Sequence, residues 1–275
     1  MHKIIDAHIH CSELRDDALL SFAKANGLKY NLKELLHFME SYGVFSGLLL
    51  SPPLSSGLPV PNERIIELCL KSRDKLFPIL TVEPDEKSVG ECVRLAKKEK
   101  GYVKGFKIRL GYVEVFPDNK IFAPLYEYAE SYDIPVMFHT GDTATSSGSL
   151  KHAHPLGLDP LANKREHLKI VACHFGNPWI MDTTELLYKH ENVFADISGL
   201  VAGVSKYSKK YLDYLAQKIS EAIYYVGSAD KIIFGTDYPV ETYSDAISLV
   251  KRIKVSRSDR QNIFSGNARR VFQFD

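Results

Sequence analysis

The stretch Lys3-Ile4-Ile5-Asp6-Ala7-His8-Ile9-His10 opens as a short apolar run and ends in polar residues. The run proper, Lys3–His8, is the first of eight. The others are Val44–Leu50, Leu76–Glu83, Val103–Leu110, Ile134–His139, Leu168–His174, Asn192–Ile197 and Lys231–Asp237. They are rich in Val, Ile and Phe, as strands buried on both faces are. Their starts lie 24 to 41 residues apart, and segments of helical spacing fill the gaps. Asn31–Tyr42 carries Leu32, Leu35, Leu36 and Met39 at i, i+3, i+4 and i+7. Asp85–Lys100 starts with an acidic N-cap candidate and stops at Gly101. Pro61–Arg73, Phe122–Tyr132, Thr183–His190 and Ser208–Tyr225 read the same way.

Eight strand–helix units over roughly 230 residues predict an α/β fold, the (β/α)8 TIM barrel. An open doubly wound sheet fits less well. Its strand count is usually nearer six, and no GxGxxG follows the first run. No interior linker interrupts the pattern, so a single domain over residues 1–275 is expected. The tail Ser256–Phe274 is expected to pack on the barrel as a final helix or pair of helices.

Composition narrows the partners. The 275 residues are 45% hydrophobic and 25% charged, values of an ordinary globular protein. Net charge is +1 and no basic stripe is present, which argues against nucleic acid. Cys11, Cys69, Cys92 and Cys173 form no CxxC pair, so reduced thiols are expected rather than a disulfide framework. The opening Met1-His2-Lys3-Ile4-Ile5-Asp6 has no apolar signal core, and no apolar run reaches 18 residues. A cytoplasmic protein that neither enters nor spans a membrane is the expectation.

The ends of the runs carry the chemistry, because the C-terminal ends of barrel strands face the active site. Residues two apart on a strand point the same way, so His8 and His10 project together into the mouth. The fifth run ends at His139, the sixth at His174 and the eighth at Asp237. Imidazole is a neutral ligand suited to Zn, Fe, Ni or Cu, and a carboxylate adds an anionic one. Two or three His with one Asp and an open position make a catalytic zinc-type site. A single strand-end His more often serves a barrel structurally. Four of them with an Asp, all at one end, favour a metal.

These pieces resemble the amidohydrolase superfamily, and more closely the amidohydrolase 2 group that includes aminocarboxymuconate-semialdehyde decarboxylase. Also matching are Gly105-Phe106-Lys107-Ile108, His174-Phe175-Gly176-Asn177-Pro178-Trp179 and Gly266-Asn267-Ala268-Arg269-Arg270-Val271-Phe272. The resemblance spans Asp6 to Phe272 and implies a barrel of the metal-dependent hydrolase type. It implies that His8, His10, His139 and Asp237 bind one divalent ion, zinc first. It makes His174 a general base or oxyanion partner, with Asp237 sharing the proton handling. A bound ion lowers the pKa of its water to about 7, and a nearby His moves protons at that pH. Binuclear relatives carry a carbamylated lysine at the position of Lys107, which would bring in a second ion; one ion is favoured here. The resemblance also suggests a homodimer.

Lys107 and Arg109 face the same side and suit an anionic small-molecule substrate, although a salt bridge that props the barrel explains Arg109 nearly as well. The loops Ser51–Pro61 and Gly141–Pro155 lie over the mouth, and His154 in the second is a substrate-pocket candidate. His152 and His154 are not read as a separate metal site. Asp196, ending the seventh run, is a candidate to orient His174 or touch substrate, and a structural hydrogen bond to a neighbouring loop explains it equally well. Packing is the reading for Trp179 and Tyr238, and His2, His37, His167 and His190 receive no role.

The first expectation for activity is hydrolysis of an amide, ester or lactone by metal-activated water. The alternative is non-oxidative decarboxylation of a small aromatic or unsaturated carboxylic acid at the same site. Some decarboxylase relatives use an Arg from the loop after strand two, and none stands there before Arg64. A TatD-like nuclease would need a Glu at Lys107 and a basic surface. A barrel that had lost catalysis would not keep the full His and Asp set.

Overall fold

The structure, a computed structural model, describes residues 3–202 and 209–274. Met1 and His2 lie outside the described residues, as does Ser208, the expected start of a helix. Eight strands form one sheet in sequence order: β1 Ile4–His10, β2 Val44–Leu50, β3 Leu76–Val82, β4 Gly105–Ile108, β5 Val136–Phe138, β6 Ile170–Ala172, β7 Val193–Asp196 and β8 Ile232–Ile233. Every neighbouring pair in that order is parallel. The circle closes between β8 and β1 through Ala7 N–H to Phe234 O (3.0 Å), Asp237 N–H to His8 O (2.8 Å) and His10 N–H to Tyr238 O (2.8 Å). The chain is a (β/α)8 barrel.

The strands are shorter than several of the apolar runs. Thus His139, His174 and Asp237 lie just past the ends of β5, β6 and β8 rather than inside them. β1 has a bulge. It advances three residues from Asp6 to Ile9 while β2 advances two, from Gly47 to Leu49. The extra residue changes the facing pattern. Ile5 and Ala7 pack inside the barrel, Ile4 and Ile9 pack between barrel and helices, and His8 and His10 reach the mouth.

Two apolar layers follow. Inside, Ile5, Leu48, Ile79, Met137, Val171 and Ile233 stack on Ala268, Val271 and Phe272, so the C-terminal helix Asn267–Phe272 plugs the barrel. Asn267 Nδ2 fixes that plug by donating to Ala229 O (2.8 Å) and Ile232 O (2.7 Å). Outside, the helices bury one stripe each against the strands. Helix Leu32–Tyr42 buries Leu32, Leu35 and Met39, is capped by Asn31 and stops at Gly43 with φ 74°. Helix Glu86–Lys98 is capped by Asp85, whose carboxylate accepts from Ser88 N–H at 2.8 Å. Such a cap contributes about 1 kcal/mol. Helix Tyr243–Arg252 was not among the expected segments, yet Tyr243, Ala246, Leu249 and Val250 give it a buried stripe behind the Thr242 cap. No helix among the described residues is long and apolar enough to cross a membrane.

Gly105 shows how tightly β4 meets β5. A Cβ there would lie 2.7 Å from the carbonyl oxygen of Pro135. Gly105→Ala is expected to cost about 1–3 kcal/mol through forced separation of the strands. Thermal denaturation checks this; an unchanged Tm would mean that the strands part freely at this point.

Candidate active site

The mouth gathers what the strand ends supply. His10 Nε2 lies 3.0 Å and His8 Nε2 3.5 Å from Asp237 Oδ1. The donor atoms of these three residues fall within 4.8 Å of one another. The other ring nitrogens are engaged from behind: His8 Nδ1 with Asp196 Oδ2 at 3.0 Å and His10 Nδ1 with Leu50 O at 3.0 Å. An Nδ1–H donated outward leaves a lone pair on Nε2 aimed inward, which is how metal-bound imidazoles are normally oriented. The donor set and its orientation fit a divalent cation.

His174 sits beside this trio, its ring centroid 5.0 Å from that of His8. Its Nδ1 contacts Ser198 O (3.1 Å) and Ser198 Oγ (3.0 Å). Its Nε2 has no hydrogen-bond partner among the described residues, so that atom is free for substrate. His174, Phe175 and Asp237 all hold left-handed backbone, with φ of 59°, 49° and 56°. Each costs of order 1 kcal/mol for a residue with a Cβ. Gly199 is the close neighbour of both site groups: a Cβ there would lie 2.9 Å from His174 Nδ1 and 3.4 Å from Asp237 Oδ2.

Asp196 was read as a residue that orients His174 or touches substrate. It holds the His174 backbone N–H (2.9 Å) and Ser198 Oγ (2.6 Å), and its other oxygen takes the His8 ring. His139 is near, its ring centroid 4.9 Å from that of His174, but its Nε2 meets Asp142 O at 2.9 Å. The close trio is therefore His8, His10 and Asp237, with His139 one ring away. Lys107 is buried in the barrel and donates to Cys173 Sγ at 2.8 Å. Arg109 pairs with Glu83 (2.9 Å) and donates to Gly57 O (2.9 Å) in the loop after β2. His154 stands apart from the trio, its ring 4.7 Å from Trp179 beside a cleft of about 420 Å³.

Electrostatics suit ligation. Burial and the Lys107 charge push the His8 imidazole down to about 4, so it is neutral. Burial and the neighbouring His174 lower His139 as well. Burial alone would raise the Asp237 carboxyl, but its imidazole neighbours, His10 first and then His8 and His174, outweigh it and hold the group below the usual carboxylate range, ionised. Two carboxylates that composition gave no reason to single out support the site. Asp6 Oδ1 accepts from His8 N–H (3.1 Å) and Thr236 N–H (3.0 Å), and Oδ2 accepts from Thr236 Oγ1 (2.6 Å). Buried Glu241 accepts from Val201 N–H, next to Gly199 and Leu200. Burial, with Asp237 nearby, pushes the Glu241 carboxyl well up, so it stays protonated.

A cavity of about 670 Å³ lies beside this arrangement and adjoins it at Gly199. Leu200, Ala202, Asp142, Asn177, Lys210, Tyr211 and Tyr214 complete its lining.

A family model described as Amidohydrolase matches residues 5–274. The chain is similar to a gamma-resorcylate decarboxylase of Polaromonas sp. strain JS666, 24% identical over 74% of this chain and 72% of the relative. It is also similar to one of Rhizobium sp. strain MTP-10005, 22% identical over 87% and 86%. Among solved structures, a dihydroxybenzoic acid decarboxylase from Polaromonas with manganese and 2-nitroresorcinol shares the fold. Its TM-score is 0.72 at 17% identity, covering 99% of this chain and 97% of that one. An amidohydrolase from Burkholderia multivorans with bound zinc does so at 0.77 and 18%, covering 99% of each.

These relatives correct the expectation of hydrolysis: the curated ones are named decarboxylases. The metal ligands could not separate the two reactions, since both use them. Arg109 is engaged by Glu83 and by the Gly57 carbonyl in the loop after β2.

Two outcomes are expected. The double variant His8→Ala/His10→Ala should lose its bound divalent metal, and Asp196→Asn should weaken metal affinity about 10- to 100-fold; elemental analysis and competition with a chelating dye read both. Full metal content in the double variant would remove the trio as ligands. Glu241→Gln should keep the fold and flatten the pH dependence of Tm. A buried acid that stays protonated loses stability relative to the unfolded chain as pH rises above its ordinary 4.5. Gln has no proton to hold, so the slope should shrink to the part that buried Asp6 contributes; an unchanged slope would show that Glu241 is not a source of it.

Proposed function

The chain belongs to the amidohydrolase family, and from that premise we propose that it catalyses the non-oxidative decarboxylation of a small aromatic carboxylic acid of the hydroxybenzoate class. One observation carries the reading. His174, with Nε2 free of protein partners, and Asp237 both lie against Gly199, which lines a neighbouring cavity with apolar and aromatic walls. Relatives over most of the chain are named for this reaction.

His8, His10 and Asp237 would hold a divalent ion, with His139 as the fourth donor; zinc and manganese are the candidates. When bound, the ion supplies Lewis-acid polarisation of the substrate's oxygens. The chain's own residues do the rest. Asp196 and Leu50 O hold the two ligand rings in one tautomer. His174 delivers a proton from Nε2 to the ring carbon that bears the carboxylate. The bond from that carbon to the carboxyl group then breaks, its electron pair restores aromaticity, and CO2 leaves. Asp237 stabilises the imidazolium before transfer, and the neutral imidazole recovers its proton from water in the open cavity. Lys107 contributes positive charge behind the site and suits an anionic substrate.

The test uses carboxyl-labelled 2,6-dihydroxybenzoate and related hydroxybenzoates in D2O, with esters and lactones in parallel. Labelled CO2 should appear, and the product should carry one deuterium at the vacated carbon. His174→Asn should lower kcat by about 10²–10⁴ while ligand affinity changes less than about threefold. Ester or lactone cleavage without CO2 release would overturn the proposal.

A further inference from the structure

We propose, resting on the decarboxylase reading, that Asp142 and Tyr211 select the substrate ring: Tyr211 packs on its face and Asp142 accepts a hydrogen bond from a ring hydroxyl. Both residues line the cavity of about 670 Å³ whose wall includes Gly199, the neighbour of His174 and Asp237, and neither belongs to the ligand trio.

The backbone at Asp142 is fixed. Its N–H donates to Asn177 O at 2.8 Å, and its carbonyl meets His139 Nε2 at 2.9 Å. Gly141 before it, at φ 103°, lies so close to the Asn177 carbonyl that no side chain would fit. This clamp presents the Asp142 carboxylate at the cavity wall, where it has no hydrogen bond or ion pair among the described residues. A carboxylate only accepts hydrogen bonds, whereas a phenolic hydroxyl donates one, and a charged acceptor strengthens the bond.

Tyr211 is backed by Tyr214, stacked at 6.1 Å between centroids with 20° between planes. Behind Tyr214 stands Lys218, its Nζ 6.0 Å from that ring. Burial, then Tyr214 and Asp142, raise the Tyr211 phenol above its ordinary range, consistent with Asp142 facing it across the cavity. An aromatic platform and an acceptor carboxylate in one cavity match a flat, hydroxylated ring.

The experiment is calorimetric titration of the metal-loaded protein with 2,6-dihydroxybenzoate and with benzoate, with CO2 release followed in parallel. Wild type should bind the dihydroxy ligand at least tenfold more tightly. Asp142→Ala should shrink that gap to less than threefold while leaving benzoate affinity unchanged, which also reports an intact fold. Tyr211→Leu should weaken both ligands about fivefold, and Tyr211→Phe neither. The proposal is overturned if wild type binds neither ligand or shows no gap, if Asp142→Ala leaves the gap intact, or if Tyr211→Leu binds as wild type does. Binding that follows the expected pattern without CO2 release would remove the decarboxylase reading and keep the ring-selecting wall. CO2 release without that pattern would do the reverse.

Discussion

The carboxylate of Asp6 is the hinge on which the site hangs. It accepts the His8 N–H from its own strand and both the N–H and hydroxyl of Thr236 from the end of β8. One side chain thus stabilises the bulge in β1 and joins the first strand to the last. The bulge turns His8 and His10 into the mouth, and the joint sets Asp237, one residue past Thr236, against them. Burial drives the Asp6 carboxyl up to about 7 despite those hydrogen bonds, a measure of how much desolvation the joint carries. Residues from opposite ends of the chain that could hold a metal ion meet because the barrel closes there.

Asp196 provides the second link. Through its two oxygens, β7 grips a ring from β1 and the backbone of the turn after β6. Three non-adjacent stretches are referenced to one buried anion, held low by His8 and His174 against the cost of its burial. The division of labour along the barrel axis is clear. Apolar side chains and the plug of Ala268, Val271 and Phe272 fill the lower part, while charged and imidazole groups crowd the upper end. A polar cluster of this kind is tolerated because nearly every member has a partner.

Much of this was legible in the residues. Eight spaced apolar runs give the barrel, and the polar residues closing them give His8, His10, His174 and Asp237. What escaped were effects of backbone geometry and of contacts distant in sequence. Asp6 sits inside an apolar run and looks like an interruption; its role depends on a bulge and on Thr236, 230 positions away. Glu241 lies past the last strand in a polar stretch, and only folding buries it. The register of β1 could not be read from alternation, because the bulge breaks alternation between Ala7 and His8. Hydrolysis and decarboxylation draw on the same set of strand-end residues, so the residues alone did not separate them, and the names of the relatives did.

The turn that carries His174 is held in an unfavourable backbone shape at two successive residues. What restrains it is Phe175, fully buried in the layer between barrel and helices. The His174 imidazole is therefore latched from the far side of the wall. Warming that loosens the outer layer around Phe175 would release the turn while the strands still hold together. Loss of the proposed activity on heating would then run ahead of heat denaturation, and a tighter shell around one phenylalanine would bring the two temperatures together.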